Sequence, residues 1–139
     1  DQPRSRGLGD VYKRQVSFVG SIVEREILKR YYVAADLFLF PSLYDNAPLV
    51  IREAAALGTP SVLIRDSTAS EIISDSVNGF LSPNSTEAYS NRIREILCST
   101  AIIKQVGEEA SRTIARSWED VAGEVYDRYN RLIKRNGNK

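Results

Sequence analysis

The chain has 139 residues, of which 42% are hydrophobic and 27% charged, and its formal net charge is only +1. This composition is that of one ordinary globular domain, and the near-neutral charge gives no reason to expect nucleic acid as a partner. The absence of histidine, the single cysteine and the lack of a long apolar run argue against a metal site, a disulfide framework and a membrane span.

The first fifteen residues differ in composition from the rest of the chain. They are rich in basic residues, glycine and proline and have no apolar periodicity. Residues 10–15, DVYKRQ, resemble the translated transposon end that is used to build shotgun sequencing libraries. Two interpretations stay open: adapter read-through joined to a chain that begins mid-protein near Val16, or a natural, flexible basic arm. We favour the first and divide the chain into residues 1–15 and one domain of residues 16–139.

The next fifty residues predict alternating strands and helices. We expect strands at residues 16–19, 36–40 and 60–64, with helices at 24–35 and 48–57 between them. The segment 36–40, DLFLF, is nearly continuously apolar, which is typical of an interior strand covered on both faces. Gly58 is the expected residue after the second helix. The alternation indicates parallel βαβ units, and therefore an α/β, Rossmann-like sheet with helices on both faces.

The C-terminal half is predicted to be mainly helical. We expect a short helix near residues 70–74, a turn and strand at 78–81, and helices at 85–97, 102–115 and 118–135. Ser117 is a candidate N-cap with Asp120 three residues later. Cys98 is expected to be a buried, inert thiol.

Two carboxylates stand at either end of a stretch of seven residues, Asp45 and Glu53. Ligands of open α/β sheets bind beyond the carboxyl ends of the strands, where the loop 41–47 is expected. If Pro48 is the first helical residue, free amides beside it favour an anion such as phosphate. Glu53, about a turn and a half into the helix, leans toward the helix N-terminus and can accept two hydrogen bonds from a sugar diol. This combination suggests a nucleotide-sugar site, with Asp45 facing a second sugar.

A simpler alternative is that neither acid binds a ligand. Asp45 would then cap the helix, and Glu53 would pair with Arg52, Arg65 or Lys104 on a solvated face. From spacing alone, this alternative is the favoured one.

From Val16 onward the chain resembles the C-terminal domain of retaining glycosyltransferase family 4, whose members have two facing Rossmann-like domains in the GT-B architecture. The resemblance is carried by four stretches in the order and spacing of that family: VSFVG, YYVAADLFLFPSLYDNAPLVIREAAALGTPSV, SEIISDSVNGFL and SWEDVAGEVYDRY. It implies that the chain lacks the N-terminal domain of such a protein, including the acceptor site and the basic residues that clamp the diphosphate.

The resemblance also implies roles for individual residues. Asp45 would be the catalytic acid that addresses the transferred sugar, and Glu53 would bind the nucleotide ribose. The backbone near the sugar and diphosphate would be that of Asn46, Ala47, Pro48 and Leu49. The base would meet the loop that contains Gly20, Ser21 and Ile22, although Gly20 serves equally well as a residue that only permits a tight turn. Trp118 would pack as core, and Tyr126, Tyr129 and Leu132 continue a stripe that suits packing, across to the other domain as one alternative.

The chain also departs from the family pattern. Asp45 stands where a glutamate is usual, and Ala47 and Pro48 stand where Phe and Gly often occur. Ser67 and Thr68 replace a pair of glycines before Glu71, which we interpret as a helix-start residue first and a ligand second. The identity of the sugar is therefore open.

The function that the resemblance implies belongs to a longer parent protein. It would transfer a hexose from a nucleoside diphosphate sugar to a glycan or lipid-linked acceptor with retention, without a cofactor or protein-bound metal. We expect a cytoplasmic location, with the inner face of the membrane as an alternative through peripheral association, and a role in polysaccharide biosynthesis. The chain alone is expected to bind nucleotide weakly and to be inactive. The competing hypothesis is a stand-alone nucleotide- or sugar-binding regulatory module of Rossmann type, with a polar, self-contained surface.

Overall fold

The computed structural model of the protein describes residues 16–45 and 48–136, which form a parallel sheet flanked by helices. The sheet has three strands in the order β1-β2-β3: β1 Phe38–Phe40, β2 Ser61–Ile64 and β3 Phe80–Ser82. The α-helices are α1 Arg25–Ala34, α2 Leu49–Ala56, α3 Thr86–Leu97, α4 Thr100–Thr113 and α5 Trp118–Asn136, and a 3-10 helix spans Thr68–Ile72. The predicted α/β, Rossmann-like fold class is confirmed.

The central strand β2 is buried along its whole length and separates two apolar clusters. Leu63 packs with residues of α2, of α4 and its C-cap, and of the 3-10 helix, namely Ile51, Ala55, Ala69, Ala110 and Ile114. Its neighbour Val62 packs in the other cluster, with Phe80 and with residues of α3 and α4, namely Ile96, Ile103 and Val106. Because successive side chains of a strand point to opposite faces, this one short strand organises the core on both sides of the sheet.

A glycine turn ends α2 and returns the chain to the sheet. Gly58 has φ +76°, and its N–H donates to Ala55 O at 2.9 Å while the N–H of Thr59 donates to Ala54 O at 3.0 Å. These two bonds form a Schellman motif, so the prediction for Gly58 is confirmed. The Thr59 hydroxyl then donates to Tyr32 O at 2.7 Å and ties the turn to the end of α1.

Serine side chains begin the last three helices. Ser85 accepts from the N–H of Ala88, and Ser99 accepts from that of Ile102. The Ser117 hydroxyl accepts from the Asp120 N–H at 3.0 Å, and the Asp120 carboxylate accepts from the Ser117 N–H at 3.2 Å. This reciprocal capping box confirms the prediction made for Ser117. The cap at Ser99 explains why α4 begins two residues before the predicted start.

The strand predicted at residues 16–19 is wrong. Residues 16–24 have no regular secondary structure, and the Phe18 side chain is 96% exposed. The β-branched and aromatic residues there fit a strand locally, but a strand is stable only when a neighbour pairs with its backbone and covers one face. None of the described residues pairs with this segment.

The strand predicted at residues 36–40 forms only at Phe38–Phe40, and the prediction that both of its faces are covered is wrong. Strand β1 is at the edge of the described sheet, and Leu39 is 46% exposed. Phe38 and Phe40 pack on the core together, with their rings stacked at 5.9 Å. A continuous apolar run therefore gives the strand but does not tell whether a second layer covers it.

Three smaller predictions also need correction. Pro48 is the N-cap of α2 and not its first helical residue, and the short helix predicted at 70–74 is the 3-10 helix two residues earlier. Cys98 is exposed and not buried, because it follows α3, where its thiol donates to Arg94 O at 3.2 Å.

Helix α5 lies largely outside the core. Trp118 is 78% exposed, so the expectation that it packs as core is wrong for the described residues. The apolar side chains farther along α5 are exposed too: Val125, Tyr126, Tyr129, Leu132 and Ile133. Among the described residues, no helix is both long enough and apolar enough to cross a bilayer.

Candidate functional site

A groove runs along the outward face of α2 and has a volume of about 630 Å³. On α2 it is lined by Leu49, Arg52, Glu53 and Ala56. Its other walls come from Arg25 at the start of α1 and from the segment that opens α5, namely Ala115, Arg116, Ser117, Trp118 and Val121. The groove therefore joins a helix that follows β1 to the last helix of the chain.

The helical period explains why Glu53 faces this groove. Ile51, Ala54 and Ala55 of α2 are buried in the core. Glu53 is on the opposite face, one turn after Leu49, which lines the same groove. The Glu53 side chain is exposed. Burial, and to a smaller extent the negative charge of Glu53, raises the pKa of the Tyr32 hydroxyl on α1. Glu53 is thus an unburied carboxylate within reach of a ligand in the groove.

The ion pairs proposed for Glu53 in the simpler alternative are not formed among the described residues. Arg52 donates instead to Ile114 O at 2.8 Å and so holds the end of α4 against α2. Arg65 pairs with Asp75 and Lys104 lies near Glu108. This part of the alternative is wrong.

Three cations, Arg25, Arg52 and Arg116, lie along the groove. Arg116 also pairs with Glu124 of α5. No basic residue stands out in the sequence as a replacement for a diphosphate clamp, and of these three only Arg52 has a sequence signal, because it adjoins Glu53. Arg25 and Arg116 are far apart in sequence and come together only through the packing of α1 and α5 beside α2.

Asp45 lies in the loop after β1 and is half-buried. Its N–H donates to the Thr68 hydroxyl at 2.9 Å, and that hydroxyl donates to Asp45 O, also at 2.9 Å. The N-cap of α2 is Pro48, and no side chain among the described residues caps the helix, so the suggestion that Asp45 caps it is wrong. Asp45 is not among the residues that line the groove of Glu53.

The other predicted site residues are spread over several environments. Gly20 has φ +71°, which favours glycine, while Ser21 is exposed and Ile22 half-buried. Pro48 is buried and Leu49 lines the groove. Asn46 and Ala47 lie outside the described residues. Glu71 is exposed within the 3-10 helix.

Residues 2–99 match the family described as Glycosyl transferases group 1. The chain belongs to this glycosyltransferase family. The matched range begins inside the first fifteen residues, and the interpretation of residues 1–15 as adapter sequence stays a prediction.

This group 1 glycosyltransferase chain is similar to D-inositol 3-phosphate glycosyltransferase 2 of Catenulispora acidiphila, with 31% identity over 94% of the chain and 30% of the relative. In structure it resembles sucrose-phosphate synthase from Thermosynechococcus elongatus, with a TM-score of 0.75, 30% identity, and coverage of 87% of this chain and 31% of that one. It also resembles Anabaena HepE in complex with UDP, with a TM-score of 0.55, 27% identity, and coverage of 60% and 23%. The chain therefore spans about a third or less of the length of each of these three proteins.

Proposed function

We propose that the chain is the donor-binding half of a retaining glycosyltransferase of family 4, with GT-B architecture in the parent protein. The parent transfers a hexose from a nucleoside diphosphate sugar to a glycan or lipid-linked acceptor. The observation that carries the proposal is the position of Glu53: an exposed carboxylate in a groove, one turn into a helix that follows a parallel strand, in a group 1 glycosyltransferase chain. Asp45 and the residues of the loops that precede α1 and α2 complete the proposed donor site.

In this proposal different charged groups of the chain bind different parts of the donor. The Glu53 carboxylate accepts hydrogen bonds from the two hydroxyls of the ribose. The free amides at the N-terminus of α2, together with Arg25 and Arg52, favour the negative diphosphate. Stabilising this leaving group matters most, because sugar transfer breaks the C1–O bond to phosphate through an oxocarbenium-like state. Asp45 acts at the sugar.

The surface of the chain argues against the stand-alone regulatory module. Such a module needs a polar surface, because large exposed apolar patches are rare on soluble monomers. Here the outer face of α5 is apolar and exposed, and so are Val16, Phe18 and Val19. The chain alone is expected to bind nucleotide weakly and to transfer no sugar, because in this proposal the acceptor is positioned by the other half of the parent protein.

Titration of the 139-residue chain with UDP, GDP and ADP, followed by amide chemical shifts in NMR, tests the proposal. We expect one of the three to bind and the Glu53→Ala variant to bind it about tenfold more weakly, because the two charge-assisted bonds to the ribose are lost. Glu87→Ala is the matched control, since it removes the same charge from an exposed position in the first turn of α3. Equal affinity of Glu53→Ala and the unaltered chain, or no binding of any diphosphate, contradicts the proposal.

A further inference from the structure

The Thr68 side chain holds both backbone groups of Asp45. Its hydroxyl accepts from the Asp45 N–H and donates to the Asp45 carbonyl oxygen, each at 2.9 Å. A hydroxyl has one proton to donate and lone pairs to accept with, so the two bonds are compatible. A residue of the 3-10 helix thus fixes one residue of a loop that lies 23 positions earlier in the chain.

A third bond strengthens the same junction. The Thr68 N–H donates to Leu43 O at 3.3 Å, two residues before Asp45. Asp45 follows strand β1 and Thr68 follows strand β2, so the three bonds join the loops that leave two neighbouring strands at their carboxyl ends. Asp45 does not cap α2. Among the described residues, the bonds to Thr68 are therefore the contacts that orient the Asp45 backbone.

We propose that Thr68 is the positioning residue for Asp45, and that through Asp45 it sets the affinity for the sugar part of the donor but not for the nucleotide part. The inference rests on the proposed function, in which Asp45 acts at the sugar and Glu53 at the ribose. Thr68 stands where the family resemblance leads one to expect glycine, and a glycine has no hydroxyl to make these bonds. A direction fixed at the Asp45 backbone is carried to its carboxylate, because only two side-chain torsions separate them.

The neighbouring Ser67 provides an internal control. Ser67 is buried, and its hydroxyl has no hydrogen-bond partner among the described residues. Ser67→Ala therefore removes a hydroxyl from the same loop without touching the bonds to Asp45. Thr68→Ser keeps the hydroxyl of Thr68, whereas Thr68→Val keeps its shape and removes both side-chain bonds.

The test measures the affinity of the 139-residue chain for three ligand pairs by NMR titration: UDP with UDP-glucose, GDP with GDP-mannose, and ADP with ADP-glucose. The ratio of the two affinities within a pair is the contribution of the sugar. In the pair that binds, we expect Thr68→Val to reduce this ratio about threefold to tenfold, because a misplaced Asp45 carboxylate loses one or two hydrogen bonds to the sugar, and to leave the affinity for the diphosphate alone unchanged. Thr68→Ser and Ser67→Ala should keep the ratio of the unaltered chain.

Two further readouts separate positioning from a general loss of structure. The Asp45 amide of Thr68→Val should exchange faster with solvent deuterium, while amides of β2 keep their protection. In an Asp45→Asn background, Thr68→Val should cause no further loss of the sugar contribution, because its effect runs through the Asp45 carboxylate.

The inference is overturned if Thr68→Val weakens the diphosphate and the nucleotide sugar equally, if it changes neither, or if the sugar contributes nothing in the unaltered chain. If the unaltered chain binds none of the six ligands, the proposed donor function itself fails and the inference falls with it. That failure is distinguishable because it appears before any substitution at Thr68 is made.

Discussion

At the scale of single residues, the Asp75 carboxylate joins three parts of the chain. It accepts from the Leu81 N–H at 3.0 Å, from Arg65 after β2 at 3.0 Å, and from Arg92 of α3 at 2.9 Å. Arg92 also lies over the Phe80 ring, 5.7 Å from its centroid. The network therefore attaches α3 to the edge of the sheet through one acid.

This network predicts a loss of stability in acid. Partial burial raises the pKa of Asp75, but the Leu81 N–H and the guanidinium groups of Arg92 and Arg65 outweigh burial and hold it below its ordinary value. A carboxyl with a depressed pKa in the folded state stabilises the protein above its unfolded pKa, about 3.9, and this contribution is lost as the pH falls through the folded value. We therefore expect the free energy of unfolding in urea to fall less between about pH 7 and pH 2 in Asp75→Asn than in the unaltered chain.

At neutral pH we expect Asp75→Asn to lower the free energy of unfolding by about 1–3 kcal/mol, since it leaves charged donors without their acceptor. Asp66→Asn is the matched control. Asp66 is exposed and has φ +63°, a conformation that asparagine tolerates as well as aspartate does. An acid loss in Asp75→Asn equal to that of the unaltered chain and of Asp66→Asn would show that the network contributes nothing.

At the scale of elements, Gly107 lets α4 pack against the turn that ends α2. A Cβ at this position would overlap the carbonyl group of Gly58 and approach the Pro60 ring at 3.2 Å. Backbone in that turn is fixed by its Schellman bonds, so it cannot move away at low cost. Gly107→Ala should therefore lower the free energy of unfolding by about 1–3 kcal/mol, measured by urea denaturation, despite the better helix propensity of alanine.

The same substitution in α5 should have the opposite sign. A Cβ at Gly123 would meet no atom within 4 Å, so Gly123→Ala keeps only the propensity gain, about 0.5–1 kcal/mol. If Gly107→Ala stabilises the chain as Gly123→Ala does, the close contact between α4 and the Gly58 turn is not a feature of the protein in solution.

Helix ends are encoded by nearby residues of this chain, whereas strand pairing is not. The starts of α3 and α5 and the end of α2 at Gly58 were predictable because their caps lie within a few residues of the boundary, whereas the cap of α4 at Ser99 was missed. The segment 16–19 was mispredicted because strand formation depends on a neighbour that its own sequence does not encode. For the same reason DLFLF gave the strand but not its position at the sheet edge.

At the scale of the whole molecule, the candidate site could be only half predicted. Glu53 facing outward on its helix follows from the period of α2, whereas Arg25, Arg116 and Trp118 reach the same groove through packing between helices distant in sequence. The contact between Thr68 and Asp45 likewise depends on two loops meeting above adjacent strands. The spacing of residues within one segment does not predict such contacts between segments that are distant in sequence.

The outer face of α5 is apolar and exposed to solvent. The helix has 19 residues, about 28 Å in length, and beyond its first turn its apolar side chains contact solvent, with Tyr129 and Leu132 both exposed. This face packs on none of the residues that the structure describes and so adds little to folding. The double substitution Tyr129→Ser and Leu132→Gln should therefore change the free energy of unfolding by less than about 0.5 kcal/mol. In contrast, Ile51→Ala in the core should cost about 2–5 kcal/mol, because Ile51 is fully buried and a cavity would remain.

Urea unfolding of both variants makes the comparison. A loss above about 1 kcal/mol in the α5 variant would mean that α5 folds back on its own chain, and the apolar face would then no longer argue against the self-contained module.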